Sequence, residues 1–333
     1  MRRAIALLGV LGTALLLAFS LAGCPTPASY GSTITPVYAA TNSGLYVFNG
    51  SSWKNYTYAN TGGGLASDDV SSVVVSGSGS GAAVFAATAD NGISMFDGST
   101  WQTWTAGADG LGGNAVSDLF LGSANLYAAT SGGLSIRNYS NYSAAKPWTN
   151  DGTVAGGSPV TCVYPYGTYT YVGSSAGLFV YNGTSTAPLF TFTPSSIVPS
   201  STTISAIIVD SSQDIIAATD KGLNVLYSNA TPFAFTANNQ ILSGTAVHGL
   251  YLDASNNLYA ASDSGLYEAT SKSQGKILGA TPVYCVYVDG AGTIYAGTAT
   301  GLEVSKDGGS SWANSPWSAK VNGVVTTAPL YSF

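Results

Sequence analysis

Charged residues are scarce in this sequence, since Asp, Glu, Lys and Arg together make up only 8% of its 333 residues. Acidic residues outnumber basic ones by 16 to 10, and His248 is the one histidine. Binding to the phosphate backbone of a nucleic acid needs clustered Lys and Arg. We therefore expect no nucleic-acid partner.

The shortage of histidine and arginine also argues against familiar catalytic sites. A metal site built from several histidines cannot form, and a Ser-His-Asp triad would depend on His248 alone. Glu268 and Glu303 follow turn glycines in neighbouring copies of a repeat, and they could share acid–base chemistry if they lay close together. No run of oxygen ligands resembles a calcium loop. We expect no enzyme, no metal and no cofactor; a hydrolase or lyase that depends on His248 is the weaker alternative.

Cysteine is rare too, with three in the chain, of which Cys162 and Cys285 lie far from the N-terminus. They take the same position in two similar apolar strands, VTCVYPY and VYCVYVD. An exported protein could join them in a disulfide. Their equivalent positions in separate copies favour two buried free thiols, because cysteine packs as a small apolar residue.

Long apolar runs are absent except at the N-terminus, where two arginines precede an uncharged stretch over residues 4–21. This layout is typical of a secretory signal, although the run is close to the minimum of about 17 residues for a membrane-spanning helix. The end of the stretch resembles a bacterial lipobox, which is cut before a cysteine that then carries lipid. Its residues are Leu21, Ala22, Gly23 and Cys24.

The lipobox resemblance implies three segments: a signal peptide at 1–23, a lipidated tether at 24–32 and a mature domain at 33–333. Loss of the two leader arginines takes the net charge from −6 to −8. A lipid on Cys24 would hold the protein to a membrane of the bacterial cell envelope. Pro25 replaces the aspartate that retains some lipoproteins in the inner membrane, which favours the outer membrane or the cell surface.

A string that reads LYAASDSGLYE at Leu258–Glu268 recurs in seven copies. Each copy has an apolar strand, a second strand ending in Ala-Ala-Thr or a similar triplet, a turn glycine that supplies positive φ, and a third strand. A fourth strand is expected near an aromatic residue, which is Phe233 in the fifth copy. The turn glycines lie 36 to 48 residues apart: Gly44, Gly92, Gly133, Gly177, Gly222, Gly265 and Gly301.

A period near 40 with strand-forming residues is typical of a propeller blade. The sequence therefore predicts an all-β fold, a seven-bladed β-propeller of four-stranded blades. The first copy lacks a first strand, whereas Val321–Val325 near the C-terminus repeats the first-strand pattern. We expect this C-terminal strand to complete the N-terminal blade and leave no free sheet edge.

The strings GLYVFNGSSWKNYT and GISMFDGSTWQTWT resemble the two-component regulator propeller repeat. SKDGGSSW at Ser305–Trp312 is similar to the Asp-box of sialidase-like (BNR-like) propellers. The first resemblance implies sensing or binding outside the cytoplasm. The second implies that Asp307 caps turn amides while Trp312 packs between strands. Sialidase activity would need an arginine triad, and Arg137 is the only arginine after the leader.

Aromatic residues are plentiful, with 21 tyrosines and six tryptophans. Trp317, Tyr139 and Tyr142 lie in segments between blades and are candidate binding residues. The longest loops from a fourth strand to the next first strand are the expected contacts. We expect a monomeric, non-catalytic module that binds an envelope protein or acts as an assembly scaffold; the alternative is a carbohydrate-binding surface lipoprotein.

Lipidation can be tested by feeding radiolabelled palmitate to cells that express the chain. The label should enter the wild-type protein and be absent from Cys24→Ala, because the Cys24 sulfur is the expected attachment point. Cys162→Ala keeps that sulfur and should be labelled like the wild type. Equal labelling of the wild type and Cys24→Ala would refute the anchor.

Overall fold

The computed structural model describes residues 36–77, 82–138, 147–183, 187–230, 234–236, 239–269, 274–279 and 281–326. All the strands lie in the unit Thr35–Phe333. Within the described ranges, no helix is long and apolar enough to cross a membrane. Several predicted features lie outside them: the signal peptide, the lipobox with Cys24, the tether, Tyr139 and Tyr142.

The described residues form seven four-stranded antiparallel sheets, the blades, so the predicted seven-bladed propeller is confirmed. A 3-10 turn at Val154–Gly157 and an α-helical turn at Pro194–Ile197 lie in loops between blades. In chain order the strands are β1 Val37–Thr41, β2 Gly44–Phe48 and β3 Trp53–Tyr56 in blade 1; β4 Val70–Ser76, β5 Ala83–Thr88, β6 Ile93–Phe96 and β7 Trp101–Trp104 in blade 2; β8 Val116–Leu121, β9 Asn125–Thr130, β10 Gly133–Asn138 and β11 Thr149–Asp151 in blade 3; β12 Val160–Tyr166, β13 Tyr169–Ser174, β14 Leu178–Asn182 and β15 Phe190–Phe192 in blade 4; β16 Ile204–Val209, β17 Ile215–Thr219, β18 Gly222–Leu226 and β19 Gln240–Ile241 in blade 5; β20 Val247–Leu252, β21 Leu258–Ser262, β22 Gly265–Ala269 and β23 Gln274–Gly279 in blade 6; β24 Val283–Val288, β25 Ile294–Thr298, β26 Leu302–Ser305 and β27 Ala313–Asn314 in blade 7; and β28 Val321–Thr326, which returns to blade 1.

The innermost strand of each blade contacts the innermost strands of both neighbouring blades, so seven first strands surround the axis of the ring. Apolar clusters lie between blades: one joins Tyr38 and Leu45 of blade 1 to Val70 and Val84 of blade 2. The alanines of the second strands, such as Ala86, are fully buried and let neighbouring sheets approach closely.

The turn between the second and third strands is built the same way in every blade. All seven predicted turn glycines have a positive φ, between +89° and +147°. A Cβ at Gly265 would lie 2.1 Å from the carbonyl oxygen of Leu278 in the outermost strand. The Thr or Ser that precedes the turn donates its hydroxyl to the glycine carbonyl, at 2.7 Å for Thr41. These turns therefore admit only glycine without strain.

The ring closes through the C-terminal strand, as predicted. β28 pairs with β1, with Val37 opposite Thr326. The Asn322 amide then donates to the carbonyl of Val70 in blade 2 at 2.8 Å. β1 is thereby paired on both sides. Blade 5 differs from expectation at its other end, because its outermost strand is Gln240–Ile241 and begins well after Phe233, which lies outside the described residues.

Removal of β28 should destabilise the whole ring. A chain that ends at Lys320 loses the buried side chains of Val321 and Val324 and leaves β1 with an open edge. We expect its melting temperature to fall by about 10 °C or more, since 1 kcal/mol corresponds to roughly 2–4 °C in a domain of this size. A chain that ends at Thr326 keeps β28 and is the control. An unchanged melting curve for the shorter chain would contradict closure.

The third residue of each first strand faces the first strand of the next blade. Only blade 3 has an acidic residue at this position, Asp118. Its Oδ2 accepts from the Val163 amide at 3.2 Å, and the Ser72 hydroxyl donates to its Oδ1 at 3.5 Å. Burial between three first strands raises the pKa of Asp118 to about 6. The same position in blades 4 and 7 holds Cys162 and Cys285, which are free thiols whose pKa burial also raises.

Asp118 should make stability depend on pH. The unfolded chain releases this proton near its ordinary pKa of about 4, whereas the folded chain holds it until about 6. Stability therefore falls as the pH rises through this window, because the folded state binds more protons there. Asp118→Asn removes the charge and keeps an acceptor for Val163. We expect the variant to be more stable than the wild type above pH 7 by about 1–3 kcal/mol, at about 1.4 kcal/mol per pKa unit.

Urea unfolding of both proteins at about pH 3.5 and about pH 7.5 measures this difference. The other carboxylates are common to both chains and cancel in the comparison. The two proteins should be nearly equal in stability at the acidic pH. If the two proteins differ in unfolding free energy by the same amount at both pH values, the charge of Asp118 does not destabilise the fold.

Candidate functional site

The seven glycine turns share one face of the ring, the turn face, with the loops that lead from each blade to the next. These loops differ widely in length. They comprise 13, 11, 8, 11, 5, 3 and 6 residues: 57–69, 105–115, 152–159, 193–203, 242–246, 280–282 and 315–320. The two shortest lead into blades 6 and 7.

The long loops pack back onto the ring. Each buries an apolar side chain between blades, such as Leu65, Leu111 or Ile197. Backbone groups of these loops also form hydrogen bonds with one residue of the third strand. It is the second residue after the turn glycine. In blade 2 this residue is Ser94, whose hydroxyl accepts from the Ala66 amide at 2.9 Å. These buried side chains fill gaps between blades, and a role of the longest loops in binding a partner stays a prediction.

The equivalent third-strand residues of blades 6 and 7 are Tyr267 and Glu303, and both are only half-buried. The short loops that enter these blades leave less chain to cover them. Partial burial raises the pKa of Glu303, and the Asn314 amide on the neighbouring strand donates to its carboxylate. Tyr267 and Glu303 are therefore less covered than Ser94 of blade 2, which is fully buried.

The second residue of each first strand also differs at these blades. It lies at a bulge where the first strand shifts its register. In blades 1, 2, 4 and 5 its side chain donates a hydrogen bond to the next blade. The acceptor is the backbone carbonyl of the first residue in the first strand of that blade. These donors are Asn322, Ser71, Thr161 and Ser205. Blade 3 has Ser117, whereas blades 6 and 7 have His248 and Tyr284.

His248 and Tyr284 form, with Asp263 and Lys320, a cluster that we call the notch. The His248 Nε2 lies 2.7 Å from the Asp263 Oδ1, and their side chains are 30% and 56% exposed. The Asp263 amide donates to the Ala246 carbonyl at 3.0 Å, which holds the turn beside the start of the first strand.

The notch continues across three blades. The rings of His248 and Tyr284 lie 5.1 Å apart, and the Lys320 Nζ lies 4.3 Å from the centre of the Tyr284 ring. Asn42 holds Lys320 in place, since its side-chain oxygen accepts from the Lys320 amide at 3.0 Å. An imidazole, a phenol and an ammonium thus form a row that solvent can reach, with one carboxylate at its end.

The candidate catalytic residues lie apart from one another. Among the described residues, the His248 imidazole bonds to Asp263 alone and makes no hydrogen bond to a serine or cysteine. No group of three His, Cys, Asp or Glu in the same ranges could hold a metal ion. Glu268 and Glu303 line separate cavities, and the Arg137 guanidinium is buried 4.2 Å over the Trp104 ring.

Trp317, the predicted binding residue in the described ranges, is half-buried between blades 7 and 1. Its ring stacks on Tyr46 at 4.1 Å and meets Trp53 edge-on at 5.2 Å. Trp317 also borders a cavity of about 260 Å³ that includes Glu303. Most of its ring is engaged in packing between blades, and a role in binding stays a prediction.

The residues of the string that resembles an Asp-box stabilise a turn. Asp307 accepts from the Ser311 amide at 2.8 Å and from the hydroxyls of Ser311 and Ser305. These bonds lower the pKa of Asp307 to about 2. The Trp312 indole donates to Gly309 at 3.0 Å and to Ile277 of blade 6 at 3.2 Å.

Tyr284 and Lys320 were not predicted as functional residues, although the sequence contains a sign of both. The shortest interval between turn glycines, 36 residues, ends in blade 7 and reflects its three-residue entering loop. Alignment of the first strands also shows a large ring, at His248 and Tyr284, where the other copies have Ser, Thr or Asn. The departures from the repeat, more than the repeat itself, indicate the notch.

No protein-family model matches the chain, and no curated protein matches it in sequence. Solved structures do resemble it. The extracellular domain of the hybrid two-component system protein BT3049 from B. thetaiotaomicron matches with a TM-score of 0.63 and 16% identity, over 78% of this chain and 37% of that chain. The extracellular domain of the one-component system protein BT4673 from the same organism matches with a TM-score of 0.60 and 18% identity, over 76% and 35%.

A third similar structure is PorZ, a surface component of the type-IX secretion system of Porphyromonas gingivalis. It matches with a TM-score of 0.59 and 18% identity, over 78% of this chain and 42% of PorZ. The chain thus spans less than half the length of all three structures. The resemblance to regulator propellers is confirmed for the fold, and at these identities the likeness concerns the fold alone.

Proposed function

We propose that this chain is a lipid-anchored, extracytoplasmic β-propeller that binds a partner protein at the notch and catalyses no reaction. The observation that carries this function is the notch itself. The other five blades have a longer entering loop and a smaller residue at this position, whereas blades 6 and 7 together present His248, Asp263 and Tyr284.

The chemistry of the notch suits a protein surface. Tyrosine gives a large contact area with little side-chain entropy to lose, and such residues are enriched among those that dominate binding energy. Lys320 and His248 flank the Tyr284 ring and can bond to carboxylates of a partner. Asp263 sets the direction of the imidazole. A partner that places an acidic group over Tyr284 would satisfy this row.

The similar structures support the proposed extracytoplasmic location and the proposed role as a binding module. Two of them are extracellular domains of signalling proteins, and PorZ is a surface component of a secretion system. The lipobox at residues 21–24 supports attachment to a membrane on the outer side of the cytoplasm. A propeller with both features would present its turn face to other envelope proteins.

Affinity capture from envelope extracts tests this function. The full chain and its variants are used as bait, and the captured proteins are quantified by mass spectrometry. We expect at least one protein to be held by the wild type and to be lost about tenfold or more from Tyr284→Ala and from Lys320→Glu, because each change removes a central contact. Both side chains are partly exposed, so the variants should fold, and their melting temperatures check this.

Lys221→Glu is the matched control, because Lys221 is an exposed lysine in a turn of blade 5 on the same face. It makes the same charge reversal away from the notch and should capture the same proteins as the wild type. Equal capture by all variants, or no captured protein at all, would contradict the proposal. A hydrolase or lyase activity that disappears in His248→Ala would contradict its non-catalytic part.

A further inference from the structure

A second surface lies on the opposite face of the ring, between blades 4 and 5. It is a cavity of about 370 Å³, within the usual range of ligand sites of about 300–1,000 Å³. We call it the aromatic groove and define it by Tyr166, Tyr169, Tyr171 and Phe190 of blade 4 and by Gln213 and Ser228 of blade 5.

Strand pairing in blade 4 places the four rings on one side of the sheet. Tyr166 is opposite Tyr169, Tyr171 is opposite Val180, and Val180 is opposite Phe190. Paired residues and residues two apart in a strand share a face. The side of blade 4 that faces blade 5 therefore carries aromatic rings on its first, second and fourth strands, with Val180 on the third.

This wall is unusually open to solvent. Tyr169 and Phe190, which line the groove, are 39% and 46% exposed. Within the described ranges, the other exposed large apolar side chains are Tyr58, Leu189 and Tyr227, and none of them lines the groove. Exposed apolar surface concentrated in one place marks a binding site more often than chance exposure does.

Backbone conformation gives an independent observation at Gln213. It has a left-handed φ of +65° in the turn that joins the first two strands of blade 5. The same turn in blades 6 and 7 has Asn256 and Gly292 at this position, also at positive φ. Asparagine and glycine adopt this region readily, whereas glutamine does so at a cost. Blade 5 thus has, at the edge of the groove, a residue that adopts this backbone conformation at a cost. This cost favours a role in binding for the Gln213 side-chain amide.

The blade 5 side of the groove is held rigidly. Asp210 accepts from the amides of Ser212 and Asp214, both at 2.9 Å. Asp214 accepts from the Ser228 amide at 2.7 Å, and the Ser228 hydroxyl donates to the Ser212 carbonyl at 3.0 Å. A site held in place before binding loses less entropy when a ligand arrives.

The lining restricts the chemistry of the ligand. None of the described residues that line the groove is charged, so an ionised ligand would find no partner there. Aromatic faces alternate with phenol, amide and hydroxyl groups. A molecule with apolar ring faces and neutral hydroxyl edges complements such a surface.

We propose that the aromatic groove binds a neutral oligosaccharide, with Tyr169 and Phe190 stacking on sugar rings and the Gln213 amide bonding to sugar hydroxyls. This site is separate from the notch, on the other face of the ring, and does not depend on the function proposed there. The groove, not Trp317, is then where the chain would hold carbohydrate.

Titration of the full chain with neutral oligosaccharides of glucose, xylose, galactose, mannose and N-acetylglucosamine tests the site, with uronic-acid oligomers as the charged comparison. We expect at least one neutral oligosaccharide to bind saturably, and its Kd to rise about tenfold in Tyr169→Ala and in Phe190→Ala, as for the loss of one stacking contact. Both residues are exposed, so the variants should fold.

Gln213→Gly separates binding from stability. Glycine tolerates the positive φ, so the variant should be at least as stable as the wild type yet bind the sugar more weakly. Lys320→Glu in the notch, on the other face of the ring, is the control and should leave sugar binding unchanged. Binding of uronic-acid oligomers alone, of an apolar peptide but no neutral sugar, or of a sugar whose Kd the groove variants do not change would overturn the proposal, as would no binding at all.

Discussion

Each blade has two apolar faces, and only a blade on either side can cover them both. The cluster that joins Tyr38 and Leu45 of blade 1 to Val70 of blade 2 shows the pattern, which recurs around the ring. A sheet with two apolar faces cannot stop at an edge without exposing one of them. The return of β28 to blade 1 follows from this constraint. So do the alanine-rich second strands, because their small side chains let neighbouring sheets approach closely.

Features that all blades share serve the ring and carry no information about a ligand. The turn glycine and the hydroxyl before it recur in every copy. Function must then reside where copies differ. Long loops bring in residues such as Leu65 and Ile197 that finish the packing between blades. Where the loop is only five or three residues long, the turn face stays open, and His248 and Tyr284 lie at that opening.

The two surfaces we propose as binding sites are chemically different and lie on opposite faces. The notch presents an ammonium, an imidazole and a carboxylate around Tyr284. The aromatic groove presents rings and neutral polar groups, with Gln213 at its edge. A rigid closed ring can carry both without conflict, because loops and turns on one face have little effect on the packing of the other. The fold thus supports a module that joins a partner on one side to a different ligand on the other.

Local chemistry made much of this fold predictable. Positive φ selects glycine at positions such as Gly265, and alternation of apolar residues marks each strand, so the blade number and the C-terminal closure could be read from the sequence alone. The short outer strand at Gln240–Ile241 could not, because only packing against the rest of blade 5 defines it. Nor could the sites. His248 and Asp263 lie 15 residues apart, and Tyr284 and Lys320 belong to other blades. They meet because the innermost strands of successive blades lie side by side, a contact that depends on the closed ring and on no local sequence pattern.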